Sequence, residues 1–196
     1  MNLRDIVIFN TVDEAAKLSL FKISTIEIAK NSGCSEANIF KLFKNKRNLL
    51  LVTYLNVLKK VEDDNELDLP KEDNLDSFIQ FTKKVWKQFI HYFINENNYC
   101  KYLYEYRNSN FFSQEIINYE VNIGYSLVDY FDRIDKKYQI YSYMSRTVFL
   151  RYAFDAVLRC SLEFDHEYIR FNDNQVDLMY KIYFQGIINL INDLNK

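Results

Sequence analysis

Apolar residues return every three or four positions along nearly the whole chain, the period of an α-helix and not the alternation of a half-buried strand. In residues 3–18, Val7, Ile8, Val12, Ala15 and Ala16 fall on or near one face. A second, shorter segment from Ser24 to about Asn31 carries Ile28 and Ala29 on one turn. A third runs from Ser35 to about Leu42, with Ile39, Leu42 and Phe43 turned inward and Glu36, Asn38 and Lys41 outward. Asn45 opens a long fourth helix that continues through Leu58 and Val61.

The breaks between these segments carry chemistry of their own. Ser24 is followed three residues later by Glu27, a spacing that predicts a capping box in which hydroxyl and carboxylate satisfy orphan backbone donors at a helix start. Gly33 can take the left-handed conformation that ends the second helix without a Cβ clash, and Ser35 can cap the third. Small Ala29 lets two short helices cross closely. Ile28 to Leu50 therefore predicts a helix-turn-helix, the arrangement that offers its second helix to a major groove.

Beyond it, an acidic run from Glu62 to Asp76 with Pro70 inside it interrupts the period and predicts a solvated boundary. Further helices are predicted over about 74–95, 98–108, 113–136, 142–163 and 174–195, begun by Asn74 or Asp76, Ser113, Ser142, and Asp173 or Asn174. The prediction is an all-α protein: a three-helix DNA-binding domain over residues 1–47, joined by a long helix to a second helical domain over 48–196.

Ser24-Thr25, Ile28-Ala29, Gly33-Cys34-Ser35, Ile39-Phe40, Phe43 and Lys44-Asn45-Lys46, followed by Leu49-Leu50, resemble the DNA-binding head of the tetracycline-repressor family of bacterial transcriptional regulators. The likeness covers about the first quarter of the chain. It implies phosphate contacts from Ser24, Thr25, Lys44 and Lys46, with Ser35, Glu36, Asn38 and Lys41 on the reading helix. Three departures stand out. Phe40, a further DNA contact, replaces the family's usual Tyr and keeps packing against the sugar-phosphate backbone without the hydroxyl's bond to a phosphate; Ser19 stands where a Gly commonly ends the first helix; and Cys34 replaces a commoner Val.

Composition agrees with a helical globule. The 196 residues are 48% hydrophobic and 27% charged, and three Gly with one Pro leave few sites for the tight turns of a β-rich fold. Net charge is −2, yet residues 1–47 hold six Lys and two Arg against five acidic residues, so a basic head precedes an acidic body. Cys34, Cys100 and Cys160 are widely separated and lack metal-ligand spacing, and His91 and His166 have no companion ligands. No metal or cofactor is expected. Without a leader-like start or 18 consecutive apolar residues, export and membrane spanning are not expected, and a reducing cytoplasm, at the nucleoid, is. No nucleophile and base share a recognisable context, so an enzyme is not expected.

Two further constellations lie in the body. In TVFLRYAFDAVLRC the small residues Ala153, Ala156 and Cys160 form a stripe, and Gly186 interrupts YFQGIINLI. With Ile182 and Asn189 they are candidates for an interface in which two helices from each subunit form a four-helix bundle; packing within one chain is the competing reading. The resemblance also implies dimerisation here. Arg151, Asp155 and Arg159 share a helix face, as a surface ladder, an intersubunit network or pocket groups. The 16 Phe and 16 Tyr concentrate in the body. They suit a core, or an apolar cavity with phenol hydroxyls to orient a guest. The resemblance implies a small-molecule effector, with Trp86, Phe89, Tyr92, Phe93, Tyr102, Tyr106, Phe112, Tyr125, Arg151, Tyr152 and Asp155 as candidate contacts. The expectation is a homodimeric repressor released from palindromic double-stranded operator DNA by a hydrophobic or aromatic effector. The competing class is a helical adaptor that keeps the fold without operator recognition.

Overall fold

A computed structural model describes residues 1–123, 125–142, 145–164 and 172–194. They contain helices and no strand, and they divide into two compact units.

The first unit comprises Met1–Asp64 and Glu96–Ser113. It holds α1 (Leu3–Leu18), α2 (Thr25–Asn31), α3 (Glu36–Phe43), α4 (Lys46–Asp64) and, from later in the chain, α6 (Asn97–Arg107). Its core is Val7, Val12, Leu20, Ile28, Ile39, Phe43, Leu49, Leu50 and Tyr54, all at most 2% exposed. Leu42, expected inward, is 37% exposed. Ile39 and Phe43 lie one turn apart and suffice to bury the short α3, so Leu42 is rotated away from them. The boundary expected from the sequence lies between residues 47 and 48. It falls within α4, which packs inside this unit.

The helix starts follow their side-chain caps. Asn2 accepts from the Asp5 amide at 3.0 Å, Ser24 from Ile26 at 3.2 Å, and Asn45 from Asn48 at 2.8 Å. The expected capping box at Ser24 does not form: the hydroxyl takes the Ile26 amide rather than that of Glu27, and the Glu27 carboxylate lies 3.8 Å from Lys30.

The second unit comprises 65–95 and 114–196. It holds α5 (Leu75–Asn95), α7 (Gln114–Ile123), α8 (Tyr125–Tyr138), α9 (Arg146–Phe164) and α10 (Asp173–Leu194). The helix expected over 113–136 is helical on both sides of residue 124, which lies outside the described residues, and its two parts are labelled α7 and α8. Ser145 rather than Ser142 begins α9, its carbonyl accepting from Phe149 at 3.0 Å. Asn172 caps α10, accepting from the Gln175 amide at 3.0 Å, where Asp173 or Asn174 was expected. Each shift keeps the helical period and moves only the end, where several polar residues compete for one cap.

Aromatic rings build much of this unit. Phe78, Phe81, Tyr130, Phe131, Ile134, Ile140 and Phe149 form one buried cluster, with edge-to-face contacts between Phe81 and Tyr130 at 5.2 Å and Phe131 and Phe149 at 5.8 Å. Burial pushes the Tyr130 hydroxyl up to about 12. α10 is joined to α5 by polar bonds at its first turns. The Trp86 indole donates to the Val176 carbonyl at 3.1 Å, and the Thr82 and Tyr180 hydroxyls meet at 2.8 Å. Asp177 receives Lys87 at 2.8 Å and Lys83 at 3.1 Å, which holds its carboxyl below the usual carboxylate range.

The end of α1 is where the backbone is strained. Ser19 has φ 73° and ψ 152°, a region suited to glycine. Its amide still donates to Ala15 at 2.9 Å, and its carbonyl accepts from Lys22 at 3.1 Å. The next amide, that of Leu20, is held by the Glu105 carboxylate of α6. Relief of steric strain of order 1–3 kcal/mol outweighs the extra unfolded-state entropy of glycine. Ser19→Gly should therefore raise the unfolding free energy by about 1 kcal/mol in urea denaturation; an unchanged or lower midpoint would show that the turn carries no strain.

Candidate nucleic-acid interface

α2 ends because the chain turns left-handed at Gly33, with φ 65°. The Cys34 amide closes this turn by donating to Ala29 at 3.0 Å, and that of Gly33 donates to Lys30 at 3.1 Å. Ser35 then caps α3, its hydroxyl accepting from the Asn38 amide at 3.3 Å. The two helices are tied side to side as well, by a hydrogen bond from the Thr25 hydroxyl to the Glu36 carboxylate.

This pair sits on α1 through two polar bonds. Asn10 donates to the Ser32 hydroxyl at 3.0 Å. Asn31 donates at 2.8 Å to Glu14, a carboxylate residue that is only 8% exposed. Glu14 looks inward beside Val7, Thr11, Val12 and Ala15, and neither bond follows from helical periodicity.

Lys44 joins α3 to α4 at φ 67° and ψ −48°. The Asn45 amide donates back to the Phe43 carbonyl at 2.8 Å, so Lys44 is the centre of a γ-turn of the strained hand. Asn48 donates its side-chain amide to the same Phe43 carbonyl at 2.8 Å. A turn locked twice at one carbonyl sets the direction in which α4 leaves, and it leaves Lys44 exposed.

The predicted DNA contacts thus fall into two groups. Asn38, Phe40, Lys41 and Lys44 are exposed, as is Arg47. Ser24, Thr25, Glu36 and Lys46 are half-buried and also hold the fold. The Lys46 ammonium donates to the Ile23 carbonyl at 2.7 Å, tying the start of α4 to the residue before the α2 cap. Ser35 is exposed but spends its hydroxyl on the α3 cap.

The predicted ligand residues divide between the units. In the first, Tyr106 stacks on Tyr54 at 4.3 Å and lies 6.3 Å from Tyr102, while Phe112 meets Tyr54 edge-on at 6.1 Å. The Tyr102 hydroxyl donates to the Leu50 carbonyl at 2.8 Å. Burial raises the Tyr102 phenol well above the usual range and that of Tyr106 to about 12. Arg107 lies over the Phe112 ring at 5.2 Å.

In the second, Phe93 packs with Phe89 at 6.2 Å, Tyr92 at 5.3 Å and Phe154 at 6.2 Å. Trp86 meets Phe184 at 5.5 Å. Tyr152 is exposed, whereas Arg151 and Asp155 are half-buried. The side chain of Tyr125 lies outside the described residues, as does His166. Arg159 of the predicted charge ladder pairs with Glu163 at 2.8 Å. His91 lies 3.6 Å from the Asp173 carboxylate at the surface.

Of the predicted interface residues, Ala156 and Cys160 are 4% and 2% exposed within one chain, and Ala153 is half-buried. Ile182 is 67% exposed, with Gly186 and Asn189 also exposed. The outward apolar positions that small-residue spacing did not reveal are Val148 beside Tyr152 on α9, and Leu178 beside Ile182 on α10. Their own i, i+4 spacing was the available signal. Among the described residues no cluster of His, Cys, Asp or Glu is arranged to hold a metal, and no helix is long and apolar enough to cross a membrane.

No protein-family model matches the chain, and no curated protein does. Its structure matches that of a TetR family transcription regulator from Marinobacter aquaeolei VT8, with a TM-score of 0.73 over 94% of each chain at 17% identity. It also matches a protein assigned to the same family from Shewanella sp. PV-4, with a TM-score of 0.71 over 95% of this chain and 98% of that one at 12% identity. The chain has the all-helical fold of these regulators.

Two measurements check the local geometry. Ser35→Ala should lower the unfolding free energy by about 1 kcal/mol through loss of the α3 cap, and an unchanged midpoint would show the cap is idle. Cys34 is half-buried in the turn, whereas Cys100 and Cys160 are buried, and burial pushes the Cys160 thiol up to about 12. At pH 8 a thiol reagent should therefore titrate Cys34 alone in the native protein and all three thiols after denaturation; rapid native labelling of Cys160 would contradict its burial.

Proposed function

We propose that this chain is a DNA-binding transcriptional regulator, a homodimeric repressor whose α3 enters the major groove. The observation that carries the reading is the exposed strip of Asn38 and Lys41 on α3, on a helix set by Gly33, Ser35 and the Thr25–Glu36 tie and bordered by exposed Lys44 and Arg47. Asn and Lys side chains are suited to base edges, and the flanking cations to phosphates. Ser24, Thr25 and Lys46 complete the phosphate set. The likeness in fold to two TetR family regulators supports the same reading.

Dimerisation places two reading helices on one duplex. The face proposed for it carries Val148 and Tyr152 of α9 with Leu178, Ile182, Gly186 and Asn189 of α10. Separation of the reading helices by about one helical turn, 34–36 Å, admits them to successive major grooves. A small hydrophobic or aromatic effector bound among the aromatic side chains of the body shifts the population to a spacing that fails this condition, through its differential affinity for the two states. Of the expected contacts, Trp86, Phe89, Tyr92 and Phe93 of α5 with Arg151 and Asp155 of α9 lie in the second unit and are the proposed site, and an effector would raise the melting temperature as it releases DNA. The chain acts in the cytoplasm, at the nucleoid.

Binding to promoter duplexes at several salt concentrations tests this. Affinity should fall steeply with salt, and Lys44→Ala should weaken binding to all sequences and reduce the slope by about one. Lys46→Ala is the less direct variant because it also releases the Ile23 carbonyl. Equal affinity for every duplex with no salt dependence would favour an adaptor over an operator reader. Ile182→Arg should convert a sedimenting dimer to monomer, and a wild-type monomer at micromolar concentration would end the dimer reading.

A further inference from the structure

Ala37 and Phe40 lie three positions apart on α3, so they share a face, and both are exposed. Phe40 is 40% exposed while Ile39 beside it is fully buried. Much of the ring is therefore open to a partner. Phe40 has no hydroxyl for a phosphate, so what it presents at this surface is apolar area alone.

The polar groups on the same helix are few. Ser35 spends its hydroxyl on the cap, and the Glu36 carboxylate accepts from Thr25. Asn38 and Lys41 remain, both exposed. In a major groove one base edge is apolar, the C5-methyl group of thymine, and it is read by small or aromatic side chains. Asn38 suits the N6 and N7 edge of adenine, and Lys41 suits guanine. Charge favours a nucleic acid as the occupant of this surface, since Lys41, Lys44 and Arg47 surround it with no salt bridge to an acidic residue among the described residues.

We propose that α3 specifies an A·T-containing half-site by packing Ala37 and Phe40 against thymine methyl groups, with Asn38 on adenine and Lys41 admitting a neighbouring guanine. This deepens, and rests on, the reading of the chain as an operator-binding regulator.

The test begins with selection of bound duplexes from a random library by the full chain. Each thymine of the enriched half-site is then replaced by deoxyuridine, which removes the methyl group and leaves base pairing intact. At least one replacement should lower affinity about fourfold, the worth of one buried methyl-sized group. Phe40→Ala should lose the preference at the thymine the ring covers while keeping any preference at the thymine beside Ala37, and Phe40→Leu, which keeps a larger apolar side chain, should keep both. An enriched half-site in which no thymine is sensitive to this replacement overturns the proposal and leaves operator recognition standing. A duplex preference in Phe40→Ala equal to that of the parent overturns the role of that ring. If no sequence is enriched at all, operator recognition falls and this inference with it.

Discussion

Three reversals of the backbone, at Ser19, Gly33 and Lys44, govern how the first unit is built. Each has φ between 65° and 73°, and each stands between consecutive helices that pack on one another. A left-handed residue is inexpensive for glycine and costly for a residue with a Cβ, yet only one of the three is glycine. The other two persist because hydrogen bonds hold the residues on either side of them. The Glu105 carboxylate takes the Leu20 amide, and the Phe43 carbonyl accepts from both Asn45 and Asn48. Loosening any of these contacts changes the angle at which α2, α3 or α4 leaves its turn.

The same economy marks the polar residues around α2 and α3. Thr25 with Glu36, Lys46 with the Ile23 carbonyl, and Ser35 with the Asn38 amide all join one part of the unit to another. A typical hydrogen bond contributes only about 0.5–1.5 kcal/mol net, so no single tie fixes α3. Their sum, together with burial of Ile39 and Phe43, holds a helix of eight residues that would not persist alone in water. Side chains so engaged are half-constrained before any partner arrives. In the proposed complex less conformational entropy is lost there than at freely rotating Lys41 and Lys44.

In the second unit, aromatic residues take the place of small ones. Ring contacts near 5–6 Å among Phe78, Phe81, Tyr130, Phe131 and Phe149 keep α5, α8 and α9 apart by the width of a side chain. Ala156 and Cys160 face inward, where they allow close approach within one chain. The outward faces of α9 and α10 carry larger apolar groups, such as Tyr152 and Ile182.

The helix-turn-helix was legible because its information is local. A glycine at the break, serine at each start and apolar residues at helical spacing constrain the backbone within a few residues. The helix content was legible for the same reason. Inwardness was harder to read. Leu42 and Ala156 each fit a periodic face, but a face is broader than the contact that covers it. Which edge is buried depends on the partner helix. The amino-acid sequence by itself determined an all-helical chain with a basic, capped helix-turn-helix at its start, because caps, breaks and periodicity act over single turns. Only the tertiary structure decided that Glu105 of α6 secures the turn after α1, that Thr25 engages Glu36, and that Phe40 stands exposed. Those outcomes depend on residues far apart in sequence meeting in space, and no local preference encodes such a meeting.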